Sequence, residues 1–276
     1  MVVFVFILGL SIGSFLNVLA DRLPRDEDVL TSRSHCDYCK HTLRWYELIP
    51  LVSFLFQRGQ TGCCHKKLSW RYPLSELITG IGFVSIYLSQ PFQSPTLASV
   101  VDPMIFAQFL VNVTIFSSLM VVCITDFDHE IIPMEMIVIG GIAAVAQVLL
   151  EYFKLFPFVS PTSLLSFSTS IIFLSHCIPG FVVGIFFFCL WFFSKGKAMG
   201  DGDIYLAFLL AFLVGYPLVF VFFYAAFLTG AVVGVILILG RKKSLKTHIP
   251  FGPFLIWGYF VALIWGVRII GMWRFL

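Results

Sequence analysis

Two acidic clusters lie among the apolar stretches that follow residue 80: Asp126-Phe127-Asp128-His129-Glu130 and Gly200-Asp201-Gly202-Asp203. A carboxylate at a membrane face is costly to keep there, which makes it a functional candidate by default. Two carboxylates in one site cannot both ionise readily, so they divide into an acid and a base. That division is the chemistry of aspartyl proteolysis. The protonated acid polarises a scissile carbonyl, and the ionised one takes a proton from the attacking water. Asp126 and Asp203 are the candidate catalytic pair, with Gly200 and Gly202 as supporting residues that let backbone and substrate come close. Other roles stay open from spacing alone. Asp203 at a helix start suits a capping role through the macrodipole. Asp126, Asp128 and Glu130 also read as a solvated loop between two spans, and such acids line ion and proton pathways as well. No HExxH is present, and the GxSxG at Gly9-Leu10-Ser11-Ile12-Gly13 lies within an apolar span rather than in a turn, so the competing nucleophile classes lack their setting. His129 beside Asp128 reads as a solvated loop histidine.

A second group of residues suits a metal. Cys36-Asp-Tyr-Cys39 forms a CxxC knuckle, and Cys63-Cys64-His65 follows further on. Four thiolates, or three with an imidazole, suit a tetrahedral structural zinc. The candidate ligands are Cys36, Cys39, Cys64 and either Cys63 or His65; the alternative is a set of reduced surface thiols. A segment of roughly 50 residues has too little core to fold alone, and a metal clip would supply the missing stability. A cytoplasmic location argues against a disulfide. Cys123, Cys177 and Cys189 lie in apolar stretches and read as packing residues.

The elements that must position these groups are membrane helices. The chain has 276 residues, of which 59% are hydrophobic and 12% charged, with mean hydropathy +0.96. Soluble domains carry about 25% charged residues. The fold class is an all-α polytopic membrane protein of about eight transmembrane helices, with a small cytoplasmic cysteine-containing domain between the first and second. Apolar length and breakers place the spans near 2–20, 74–92, 104–125, 132–153, 178–193, 204–215, 217–240 and 252–270. The Ser-rich stretch 161–177 either lies at the interface or extends the fifth span, and Gly215-Tyr216-Pro217 is a turn. Three parts follow: a first helix at 1–20, a cysteine domain at 21–73 and a transmembrane core at 74–276.

With the N-terminus outside, the inside loops 21–73, 126–131, 194–203 and 241–251 hold fifteen of the eighteen Lys and Arg residues. Lys154, Arg268 and Arg274 are the remainder. This asymmetry puts the cysteine domain, Asp126 and Asp203 on the cytoplasmic side. The first helix lacks a basic residue before it and reads as retained rather than cleaved. Gly9 and Gly13 have the small-xxx-small spacing of close helix packing. A net charge of +3 is too small to suggest nucleic acid as a partner.

The full set of motifs resembles one family. Gly13-Ser-Phe-Leu-Asn-Val18 with Arg22-Leu-Pro24 is similar to the N-terminal signature of the type IV prepilin peptidases, the bifunctional prepilin leader peptidases and N-methyltransferases. Ser34-His-Cys-Asp-Tyr-Cys39, Trp45-Tyr-Glu-Leu-Ile-Pro50, Ser53-Phe54 and Arg58-Gly59 resemble its cytoplasmic cysteine domain. Ser69-Trp-Arg-Tyr-Pro73 with Glu76, Asp126 with Ile132-Pro133, the GxGD at 200–203 and Pro250-Phe-Gly-Pro-Phe254 complete the set. The resemblance implies that Asp126 and Asp203 are the pair of a GxGD-type aspartyl protease. It implies cleavage of the basic leader from a prepilin or pseudopilin at the cytoplasmic face of a bacterial inner membrane. It also implies methylation of the new N-terminal residue with S-adenosylmethionine as donor. Asn17, Glu47 and Glu76 are candidates for that second activity, with capping or packing as their other reading. Asp128, Glu130 and Asp201 are candidate substrate contacts that would attract a basic leader.

Three departures from the family stand out. Its second knuckle is CxxC, which aligns its third cysteine with Thr61 and its last with Cys64; here the third cysteine stands at Cys63. Met134 stands where the family often has Asp, and Tyr205 where it often has Lys. Two rival functions use the same features: a transporter or proton-coupled channel, and a non-catalytic scaffold of a pilus or secretion machine. Transporters often carry two-fold internal repeats, and none is evident here.

Overall fold

The computed structural model describes residues 1–29, 34–36, 38–90, 103–152, 172–196, 199–239 and 250–273. Residues 161–171 of the Ser-rich stretch 161–177, most of the basic loop 241–251, Lys154 and Arg274 lie outside these. Nine α-helices occur among the described residues: α1 Val2–Arg22, α2 Val52–Phe56, α3 Arg71–Ser89, α4 Pro103–His129, α5 Met134–Tyr152, α6 Ile172–Ser194, α7 Gly202–Val214, α8 Val219–Leu239 and α9 Gly252–Trp273. No strand is formed among them, only two isolated bridges. The chain is an all-α polytopic membrane protein.

A helix falls within each of the eight expected spans, and among the described residues six helices (α1, α4, α5, α6, α8 and α9) are long and apolar enough to cross a membrane. Length and composition thus support six crossings and leave the count of eight unconfirmed. α7 has 13 residues, about 20 Å against a hydrocarbon core of about 30 Å. α3 carries Arg71, Ser75, Glu76 and Thr79 in its first half. α6 begins at Ile172 with Pro179 inside it, so the end of the Ser-rich stretch extends this span.

The chain divides into two compact units, Met1–Ile124 and Thr125–Leu276. In the first, α1 lies along α3 at very short range. A Cβ on Gly9 would stand 2.8 Å from the Gly80 Cα, and one on Gly13 would stand 2.9 Å from the Glu76 Cα. The small-residue spacing thus packs backbone on backbone. Val5, Phe83, Phe109 and Val113 form the apolar core of this unit. Polar side chains tie the helices together near the cysteine module. Ser75 Oγ donates to Asn17 Oδ1 at 2.7 Å, Asn17 Nδ2 donates to Tyr72 O at 3.3 Å, and Arg71 pairs with Asp21. The Leu51 N–H donates to Glu76 Oε2 at 2.8 Å, holding the module to α3.

The second unit packs α7 centrally. Leu206, Ala207 and every residue from Leu209 to Val214 are buried. α7 meets α5, α6 and α9, and α8 runs along α9. Phe187, Phe223, Phe227 and Phe251 stack edge-to-face or tilted between α6, α8 and the start of α9.

Candidate active site

Asp126 is not in a loop. α4 continues through the last apolar turn to His129, and the Asp126 side chain is buried at 5% exposure. The solvated-loop reading of this residue is corrected: its carboxylate is turned inward. The Gly252 N–H, at the start of α9, donates to Asp126 Oδ2 at 2.9 Å. A Cβ at Gly252 would stand 2.5 Å from that oxygen, so only glycine lets the backbone donor come this close.

On the facing segment, Asp201 is the N-cap of α7 and its side chain accepts from the Gly202 N–H at 3.0 Å. The capping role considered for Asp203 thus falls to Asp201. Asp203 sits in the first turn of α7, also buried at 5%. A backbone hydrogen bond from Gly200 reaches its carboxylate, and the Asp126 charge acts on it directly. Its Oδ1 is buried without a hydrogen-bond partner. A Cβ on Gly202 would stand 2.8 Å from the Ile132 Cβ, so this glycine lets the head of α7 close on the segment after Asp126. Gly200 has open space around it, with Asp203 Oδ2 at 4.0 Å from its Cβ position.

Asp128, Glu130 and Asp201 are exposed, as substrate contacts must be. Beside them Phe127, Ile131, Met134 and Tyr205 expose large apolar surface. Gly252 is the residue whose role the sequence did not reveal. It lies inside the Pro250–Phe254 motif, but its donor reaches across 126 positions.

The cysteine module, in the first unit, is built from two like loops. In one, the Cys36 N–H donates to His41 O at 2.9 Å and the Lys40 N–H to Cys36 O at 2.8 Å. In the other, the Thr61 N–H donates to Lys66 O at 2.8 Å and the His65 N–H to Thr61 O at 2.9 Å. Lys40 and His65 are both left-handed, with φ of 56° and 52°. Matching the loops sets Thr61 opposite Cys36 and Cys64 opposite Cys39. Thr61 therefore occupies a ligand position, and Cys63 supplies the sulfur from one residue earlier than Cys64.

The Sγ atoms of Cys36, Cys39, Cys63 and Cys64 all lie within 4.8 Å of one another. Cys36 and Cys64 are 3.8 Å apart, and Cys39 and Cys63 3.2 Å. Four sulfurs around zinc at about 2.3 Å stand about 3.8 Å apart, so the adjacent cysteines do fit one ion. His65 is exposed and is not in the cluster. The Thr61 hydroxyl lies 3.1 Å from Cys64 Sγ and brings that thiol down to about 7, whereas the hydrogen bond with Cys39 pushes Cys63 up to about 12.

Asn17, Glu47 and Glu76 line one cavity of about 290 Å³ in the first unit, together with Tyr38 and Tyr72. Asn17 and Glu76 hold the structural hydrogen bonds given above. Glu47 accepts from the Arg44 N–H through Oε2 at 2.7 Å, while its Oε1 lies 2.8 Å from the position of a Cβ on Gly62.

A helical membrane protein with two buried carboxylates converging from separate helices has the makings of an intramembrane aspartyl hydrolase. Comparison with known proteins gives the family. Residues 7–90 match the Bacterial Peptidase A24 N-terminal domain, and residues 113–235 match the Type IV leader peptidase family. The chain is 30% identical to a protein of Aeromonas hydrophila over 294 residues, covering 95% of this chain and 90% of that one. A protein of Bacillus subtilis is 27% identical over 96% of this chain and 94% of its own length. One of Myxococcus xanthus is 33% identical over 88% of this chain, which spans 64% of that relative's length. All three relatives are named prepilin leader peptidase/N-methyltransferase. No solved structure matches. The chain belongs to the type IV leader peptidase family.

Proposed function

We propose that this chain is a membrane aspartyl endopeptidase that removes the basic leader of a type IV prepilin or pseudopilin and N-methylates the residue so exposed. The observation that carries the proteolytic half is the convergence of Asp126 and Asp203, both buried, with one oxygen of Asp203 left unpartnered. Asp126, holding the Gly252 N–H, is the base. Asp203 carries the shared proton toward the scissile carbonyl. Water gives a proton to Asp126 as its oxygen bonds the carbonyl carbon, and the carbonyl oxygen takes the proton of Asp203. Collapse of the resulting diol breaks the C–N bond: one diol hydroxyl returns its proton to Asp203 as the carbonyl reforms, and the proton on Asp126 passes to the leaving amine. Gly200 and Gly202 keep the head of α7 slender beside the substrate, and Asp128, Glu130 and Asp201 attract the basic leader.

The division of the chain follows the same reading: a first helix at 1–20, a cysteine domain at 21–73 and a protease core at 74–276. The distribution of Lys and Arg supports an outside N-terminus, with the cysteine domain and the catalytic segments at the cytoplasmic face of the inner membrane. Cys36, Cys39, Cys63 and Cys64 would hold a zinc ion, which supplies folding stability to the module. S-adenosylmethionine supplies an electrophilic methyl group. The cavity bounded by Asn17, Glu47 and Glu76 is its candidate place in the first unit. There the ring of Tyr38 suits an adenine, and Glu47 suits the proton of an incoming amine.

Co-expression with a candidate prepilin tests the proposal. Wild type should yield a shortened, methylated product by mass spectrometry. Asp126→Asn and Asp203→Asn should each leave the leader attached. Processing that persists in both variants would exclude the pair.

A further inference from the structure

Glu151, at the end of α5, and His176, near the start of α6, are titratable groups that proteolysis leaves without a task. Both are in the second unit and both are buried, at 9% and 3% exposure. An ionisable residue inside a membrane protein is a functional candidate whose partner can be named, and here the partner follows from hydrogen positions. His176 Nδ1 lies 2.7 Å from Phe212 O. A carbonyl only accepts, so Nδ1 carries a hydrogen. His176 Nε2, 3.8 Å from Glu151 Oε2, has no other partner, and Glu151 Oε1 has none. A bare nitrogen lone pair facing an ionised carboxylate would repel it. One proton between the two converts that repulsion into attraction, whether it rests on oxygen or on nitrogen.

The same imidazole holds the far end of α7. Phe212 O is among the last four carbonyls of that helix, which have no partner within it. Gly215 follows with φ +68°, and a Cβ there would stand 3.0 Å from the imidazole. A second tie runs beside it. Pro179 cannot donate to Ser175 O, and the Tyr216 N–H donates to that carbonyl instead at 2.9 Å. From Phe212 to Asp203 is nine residues of continuous helix, about 14 Å. The other groups facing the pair are Gln147 on α5, which hydrogen-bonds the Glu151 carboxylate, and Tyr259 on α9, whose hydroxyl feels its charge.

We propose that Glu151 and His176 share one proton and so clamp the end of α7, making them positioning residues for Asp203. When the proton leaves, the one remaining imidazole hydrogen is drawn to Nε2 by the ionised Glu151, Nδ1 is left with a lone pair facing Phe212 O, α7 loses its anchor and Asp203 shifts. Catalysis then requires two protons, one on the Asp126–Asp203 pair and one at the remote clamp. The inference rests on the proteolytic reading, but it can be tested apart from it. In Glu151→Gln an amide N–H donates permanently to Nε2, so the clamp no longer titrates.

The full-length protein, purified in lipid nanodiscs, would be assayed with a prepilin peptide. For wild type, log kcat should fall on the alkaline side with a slope approaching −2, and for Glu151→Gln with a slope of about −1 at similar maximal kcat. His176→Phe should lower kcat about 10- to 100-fold with KM changed less than about 3-fold. Amide hydrogen exchange over residues 209–216, corrected for its intrinsic pH dependence, supplies a readout that needs no substrate. Protection there should decline with rising pH in wild type and stay level in Glu151→Gln. Identical alkaline limbs and identical protection in the two proteins would overturn the proposal. Exchange that behaves as expected in a protein that cleaves no prepilin would uphold the clamp and reject the proteolytic reading.

Discussion

Gly252→Ala should disable proteolysis through a single methyl group. A Cβ at this position would stand 2.5 Å from Asp126 Oδ2, whereas ordinary contact begins at 3.4 Å. The carboxylate must retreat by the difference, 3.4 − 2.5 = 0.9 Å, and the 2.9 Å hydrogen bond from the Gly252 N–H is stretched with it. A displacement of about 1 Å at a reacting group costs about 100-fold in rate, equivalent to about 2.7 kcal/mol of transition-state stabilisation. The loss should fall on kcat, with KM within about 3-fold of wild type, because the exposed substrate contacts are untouched. The control is Gly141→Ala on α5, where a new Cβ meets nothing within 4 Å. Both variants would be purified in nanodiscs and assayed for peptide cleavage by mass spectrometry, with thermal unfolding followed in parallel. A Gly252→Ala enzyme within about 3-fold of the wild-type kcat would refute the role given to this backbone donor, as would equal damage from Gly141→Ala.

Cobalt-substituted protein should show four thiolate ligands by its charge-transfer absorption; Cys63→Ser should lose one and Thr61→Cys combined with Cys63→Ser should regain it, whereas three thiolates in wild type would remove Cys63 from the ligand set. Thr61→Val should keep four thiolates but weaken metal binding about 10- to 100-fold, since a neighbour that orients a ligand carries part of the affinity. In chelator-treated protein at pH 7.5, iodoacetamide should modify Cys64 before Cys63 although Cys63 is the more exposed, because Cys64 ionises at about 7 and Cys63 at about 12. The Cys64 preference should fade as the pH falls below 7 and its thiolate is protonated; peptide mapping would detect the reverse order. Changing Asp128, Glu130 and Asp201 together to Asn should raise the KM for a basic leader more than it lowers kcat. Asn keeps the N-cap of α7 that Asp201 provides, so unchanged kinetics would discard the attraction of the leader by charge.

Much of this arrangement was legible because membrane helices announce themselves by long apolar runs, and cysteines by their spacing. Asp126 and Asp203 were visible as acids where acids are rare. What stayed hidden was set by contacts distant in sequence. Asp126 looked like the start of a loop because polar residues follow it, yet α4 carries on to His129 and the backbone of Gly252 receives its carboxylate. Asp201 and Asp203 are indistinguishable by type, and only the helix start at Gly202 separates the cap from the buried acid. Pro179 lies inside α6 because the Tyr216 N–H, distant in sequence, takes the carbonyl that proline leaves. The family spacing sets Thr61 where a cysteine belongs, and spacing does not show that the backbone of the second loop repeats the first and brings the Cys63 sulfur to the cluster.

The shortness of α7 has a bearing on lipid. Enclosed by α5, α6 and α9, with all but its first turns buried, it has no hydrophobic length of its own to match to the bilayer. Thickening or thinning the acyl layer will tilt the long helices first; Asp126, on α4, moves with one of them, whereas Asp203 feels this only through the side chains packed around α7. Amide protection of α7 should therefore vary little across nanodiscs of increasing acyl-chain length, in a range where the tilt of α8 visibly changes.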